Sequence, residues 1–176
     1  AQNVPSNTVM MALSAVLSLV AMAPIGSRIA SRAEPVLQSP ASRDTVALVT
    51  GLVDAARDPM RDFLRSNASQ PERNRFYEVA RSARPPEQRD SVSKDDFIVI
   101  IPAFIVTELY EAFALGFAIY LPFLVIDLVV ANVLLALGMQ MLSPTQVSLP
   151  FKLLLFLAID GWGLLARALV SGYSAG

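Results

Sequence analysis

From Phe97 to Gly176 the chain carries six charged residues: Glu108, Glu111, Asp127, Lys152, Asp160 and Arg167. The remainder is mostly Leu, Val, Ile, Ala and Phe, and nothing between Asp127 and Lys152 is charged. A spanning helix needs about 20 such residues, so this block can hold more than one. A charge at a lipid-facing helix centre costs about 2.5–3.5 kcal/mol, so six would cost on the order of 15–20 kcal/mol. These groups must mostly face protein, water or the membrane interface, which argues for an assembly.

Four prolines interrupt the same block: Pro102, Pro122, Pro144 and Pro150. Proline removes a backbone donor and clashes with the preceding turn. The pattern predicts a bent or broken helix from Phe97 to about Leu121, a second from Phe123 to about Leu142, and a last one from Pro150 to about Ser171. Ser143-Pro144 reads as an N-cap followed by Pro at the first helical position. Broken helices at membrane depth require neighbouring protein or a water-lined cavity to satisfy the freed backbone groups. Gly116, Gly138, Gly161 and Gly163 add small sites where helices can approach closely.

The N-terminal part is also apolar. Ala1 to Ser27 holds no charge, and Val9–Ile25 is near the length of one span. Asn7 and Thr8 are suitable N-caps, and Pro24 is expected to kink or end the helix. The chain opens at Ala1 with no initiator Met, so a processed or truncated start is expected.

Between these blocks, Arg28 to Asp96 contains 12 of the 14 basic and 11 of the 15 acidic residues. Val49, Val53, Ala56, Met60 and Phe63 recur at helical spacing, and Asp58-Pro59 reads as a new helix start or a kink. A second stripe, Phe76, Val79, Ala80 and Ala83, runs until Pro85-Pro86. Glu72 with Arg75 and Glu78 with Arg81 read as ordinary i,i+3 surface pairs. Ser93-Lys-Asp-Asp96 resembles a capping box. The organisation is thus an apolar helix over 1–25, a polar amphipathic-helical segment over 26–96, and apolar helical hairpins over 97–176. The fold class is all-α, with kinked, broken hydrophobic hairpins.

A formal net charge of −1 gives no basic face for nucleic acid. With neither cysteine nor histidine there is no disulfide, thiolate nucleophile, Cys/His metal site or His-based acid–base scheme. The apolar fraction of 54% exceeds the soluble norm of about 45–50% and points to a membrane protein.

Three constellations bear on function. Glu108 and Glu111, at i,i+3, are the spacing of a di-metal site or a proton relay. The metal reading lacks its histidines, and the relay would make the chain a secondary transporter or ion-channel subunit using Glu108, Glu111 and Asp127. Pairing with Lys152, Arg167 or another subunit is the simpler account. Asp127 and Asp160 suggest the shared-proton dyad of an intramembrane aspartyl protease, but glycine-flanked motifs are missing, and Asp160 has a donor such as Lys152 to pair with. Met139 and Met141, flanking Gln140, either fill gaps in a core or form a deformable seal.

The runs Ile101-Pro-Ala-Phe-Ile-Val-Thr-Glu-Leu-Tyr-Glu-Ala-Phe113, Tyr120-Leu-Pro-Phe-Leu-Val-Ile-Asp127, Ala136-Leu-Gly-Met-Gln-Met-Leu-Ser-Pro144, Leu149-Pro-Phe-Lys152 and Asp160-Gly-Trp162 resemble the R subunit family of the type III secretion export apparatus (SctR), which includes the flagellar P subunit FliP. Val4-Pro-Ser-Asn7 is similar to the segment after that family's first membrane helix, and on this resemblance the helix itself is expected to be missing from the sequence. Leu142-Ser-Pro-Thr145 leans toward the injectisome branch.

The resemblance implies a pore-forming subunit and not an enzyme, with no cofactor. Its partners would be copies of itself, two smaller export-gate membrane subunits, a larger export-gate subunit and unfolded secreted proteins. It would reside in the bacterial inner membrane with parts facing the periplasm, the 26–96 segment on that side. The family's methionine-rich gasket maps onto Met139, Gln140 and Met141 in a pore loop over 138–150, with Gln140 a departure where relatives carry methionine. Glu108, Glu111, Asp127, Lys152, Asp160 and Arg167 become buried or inter-subunit polar groups, and Pro24, Pro102, Pro122, Pro144 and Pro150 become helix kinks. The family also holds much of its apolar helix above the lipid plane, which relieves the energetic cost worked out above.

Overall fold

The computed structural model describes residues 5–139 and 141–173, with the backbone alone for 41 and 42. Among the described residues there are α-helices α1 (Asn7–Gln38), α2 (Thr45–Asn67), α3 (Gln70–Ser82), α4 (Phe97–Ala136), α5 (Pro144–Ala158) and α6 (Gly161–Ser171), with short 3-10 helices at Pro40–Arg43 and Pro86–Ser91 and no strand. The fold is all-α, as the sequence indicates. The chain divides into two compact units, Ala1–Glu108 with Leu169–Gly176, and Leu109–Ala168.

In the first unit α1 packs on α2. Ser6, one residue ahead of the expected caps, is the N-cap of α1, and its Oγ accepts from Val9 N at 3.4 Å. The helix does not end at Pro24: it passes through Pro24 and Pro35 to Gln38. Ile25 is fully buried against Phe63, Leu64 and Ile100, and this burial offsets the backbone bond that Pro24 removes. For the same reason Asp58-Pro59 starts no new helix. Asp44 caps α2 through Val46 N at 3.0 Å, and Pro59 sits buried inside it.

The stripe on α3 is largely as expected. Ala80 joins a small core with Val92 and Val99, and Phe76 packs against it, whereas Val79 faces outward. Glu72 pairs with Arg75 at 3.0 Å, but Arg81 reaches Asp90 at 3.1 Å instead of Glu78.

The turn before α4 closes as a capping box would, with the cap at its last residue. Asp96 accepts Ser93 N on its carboxylate at 2.8 Å, and its carbonyl receives Val99 N and Ile100 N at 2.9 and 3.0 Å. From there α4 continues for 40 residues, through Pro102 and Pro122 alike, where two helices were expected. At 1.5 Å per residue that is about 60 Å of helix. Both α1 and α4 are long and apolar enough to cross a membrane.

The chain breaks instead near its end. The last apolar segment starts at Pro144, encloses Pro150, and stops at Ile159 and Asp160, where α5 and α6 meet at 54°. Asp160 has φ +50°, and its carbonyl restarts the ladder by accepting Leu164 N at 2.8 Å. A Cβ on Gly161 would lie 2.2 Å from the Phe156 ring, so glycine lets that ring cover the break. Phe156 also packs edge-on against Trp162, with centroids 5.4 Å apart at 85°.

Candidate functional site: the α4–α5 loop and its braces

The loop after α4 begins with a backbone signal. Gly138 has φ +71°, its N–H donates to Leu135 O at 3.1 Å, and Met139 N donates to Leu134 O at 2.9 Å. This pair of bonds is a Schellman stop, and only glycine adopts its left-handed position without penalty. The stop ends α4 and turns Met139 into the loop. Met139 is 47% exposed and Met141 99% exposed. Gln140 lies outside the described residues. Leu142 N returns to Met139 O at 3.4 Å, and Ser143 with Pro144 at the first position starts α5.

Two charges brace this loop from its arms. Lys152 Nζ on α5 lies 2.7 Å from Asp127 Oδ1 on α4, with the two side chains 20% and 28% exposed. Ser148, fully buried and four residues before Lys152, shares its face of α5; its Oγ lies 2.5 Å from the same oxygen. The pairing differs from the expectation that Lys152 would serve Asp160 or Glu108. Asp160 pairs with Arg167, nearly two turns into α6, at 3.4 Å in an exposed contact. Among the described residues the two aspartates thus have separate cationic partners, and no contact joins them as a shared-proton dyad. Between the arms runs an open apolar groove of about 500 Å³, walled by Val125, Val129, Val133, Leu134, Val147 and Phe151.

The remaining carboxylates part company. In the first unit the Tyr173 hydroxyl donates to Glu108, and the Tyr173 ring stacks on Phe63 at 6.1 Å and 12°. Glu111 stands exposed. Nearby, the buried Thr107 hydroxyl donates to Ala103 O at 2.7 Å and accepts Ser69 N at 3.0 Å, joining α4 to the start of α3. Among the described residues no group of three or more His, Cys, Asp or Glu side chains is placed to hold a metal ion.

Sequence reasoning missed Ser148, Thr107 and Tyr173. For Ser148 a signal existed: it lies four residues from Lys152, the spacing that puts two side chains on one helix face. Tyr173 carried none, because its partners Phe63 and Glu108 are distant in sequence.

Comparison with known proteins covers the hairpin, its loop and the helices ahead of it. The FliP family matches residues 1–169. The chain is 42% identical over 172 residues to the hypersensitivity response secretion protein HrcR of Ralstonia nicotianae, covering 98% of this chain and 79% of that protein. It is 40% identical over 172 residues to Yop proteins translocation protein R of Yersinia pestis, covering 98% and 78%. It is also 40% identical over 173 residues to the virulence protein YscR of Salmonella typhimurium, covering 98% and 79%. The apolar hairpin, its loop and the long helices ahead of it all lie within these matches, and the chain belongs to the FliP family.

Proposed function

We propose that this chain is the core pore-forming subunit of a type III secretion export gate, passing unfolded proteins across the bacterial inner membrane. A place in the secretion apparatus accords with relatives that are named for secretion and translocation. The finer reading rests on the α4–α5 loop. Met139 and Met141 stand exposed at a tip fixed by Gly138 and braced by Asp127 and Lys152. Methionine is unbranched and polarizable, so a ring of such tips can close around an irregular opening and give way to a passing chain. The work is steric and conformational, and the chain is not an enzyme.

The reading includes partners: copies of this chain, two smaller membrane subunits, a larger export-gate subunit and the exported proteins. Tyr110, Phe113 and Phe117 on α4 are 75%, 76% and 62% exposed, as expected of a helix that neighbouring subunits cover. In such an assembly Glu111 and Arg167 face other subunits, Pro24, Pro102 and Pro122 allow the long helices to bend past one another, and the 26–96 segment lies on the periplasmic side.

The test is conductance of the assembled gate in a planar bilayer. Replacing both Met139 and Met141 with Ala is expected to raise resting leakage several-fold, and unchanged leakage refutes the loop as closure. A Glu108→Gln variant that abolished solute uptake while protein secretion continued would favour a carboxylate-relay transporter instead.

A further inference from the structure

Ser148 is fully buried, yet its hydroxyl has two acceptors within reach: Asp127 Oδ1 across the hairpin at 2.5 Å, and Thr145 O in its own helix at 3.0 Å. A serine hydroxyl carries one proton and donates to one of them at a time. A buried hydroxyl with no acceptor is unfavourable, which would ordinarily make a hairpin bond of this kind hard to release. Here the second acceptor removes that obstacle, because the hydroxyl proton can leave Asp127 by rotating about the Cβ–Oγ bond while Oγ stays in reach of the Thr145 carbonyl. Lys152, on the same face of α5, keeps the carboxylate paired meanwhile.

We infer that Ser148 is a positioning residue for the pore loop, a two-position latch that clasps Asp127 when the loop is closed and turns to the Thr145 carbonyl when the hairpin moves. The inference rests on the reading of Met139 and Met141 as the closure. Asp127 and Ser148 stand on the two arms that carry the loop, so their bond resists splaying at its base. It adds a hydrogen bond to an ionised acceptor, the stronger kind, beside the ion pair.

Ser148→Ala removes the proton with little change in volume. Ser148→Thr keeps the hydroxyl, and Ser148→Val has the shape of threonine without it. In the planar-bilayer assay, with each variant in the full complex, Ala and Val are expected to raise resting conductance about tenfold, as for the loss of one charge-assisted bond. Threonine should return it to within about twofold of the parent. Parental conductance in the Ala variant overturns the latch, as does a Thr variant that leaks like Val. Loss of assembly in the Ala variant also overturns it, since that marks a serine needed only for the fold. Parallel measurement of the Met139→Ala, Met141→Ala variant separates the two ideas. If it leaks and Ser148→Ala does not, the latch falls and the closure stands; if neither leaks, both fall.

Discussion

Asp127 and Lys152 lie 25 positions apart on opposite arms of the α4–α5 hairpin, and their side chains meet at 2.7 Å. Each is about three-quarters buried, so neither charge is fully hydrated if the other is removed. Lys152→Met is expected to lower stability by about 3 kcal/mol, since it leaves a shielded carboxylate without its cation. The double variant Asp127→Asn, Lys152→Met should lose less than Lys152→Met alone. Thermal unfolding of the detergent-purified complex checks both, and equal losses in the single and double variants would contradict the pairing.

Gly138 sets the geometry of the loop through its backbone alone, because a Cβ there would meet nothing within 4 Å. Gly138→Ala should therefore cost about 1–2 kcal/mol, the penalty for an L-residue at φ +71°. Gly138→Asn should cost less, as asparagine tolerates this conformation. Melting temperatures that rank Gly, Asn, Ala in descending order would bear this out.

Gly161 poses a different problem, since φ is not the constraint there but the Phe156 ring is. Gly161→Ala should push that ring off Trp162, and Phe156→Leu in the same chain should restore a fit. Trp162 is the only tryptophan, so its emission reports the change without labelling. A shift with Gly161→Ala that the second substitution leaves unaltered would count against the packing account.

Tyr173→Phe keeps the ring that stacks on Phe63 and removes only the bond to Glu108. The expected loss is about 1.5–3 kcal/mol, typical of a hydrogen bond to a charged acceptor. Tyr173→Ala should lose more, because the stack goes as well. Equal melting temperatures for the parent and the Phe variant would show that the hydroxyl contributes nothing.

What the residues revealed in advance was mostly local. The α3 stripe, the closed turn at Ser93 and Asp96, and Ser143-Pro144 as a helix start depend on neighbours within one or two turns. The prolines misled because proline weighs against a helix only by its own few kcal/mol. Burial of Ile25 and Pro59 outweighs that in α1 and α2. Charge partners were hard to read for another reason. Lys152 was expected to serve Asp160 or Glu108, because the sequence does not say which face of α5 opposes α4, and it is Asp127 that stands there. The break at Asp160 did carry a signal, the turn-forming dipeptide Asp160-Gly161, which the apolar run on either side of it outweighed; Asp160 takes φ +50° there and the Phe156 ring covers Gly161. The methionines were recognised by pattern and by resemblance, and their exposure at the tip became visible only with the Schellman stop at Gly138.

The 40 residues of α4 lead to a simple comparison of lengths. Followed along its contour, about 60 Å of helix is about twice what one upright crossing of the hydrocarbon layer takes up. The hydrocarbon layer is about 30 Å deep. The apolar length of α4 therefore exceeds the needs of a single upright crossing. An apolar helix of this length has surface enough for neighbours as well as for lipid, so its hydropathy counts greasy residues and not membrane crossings.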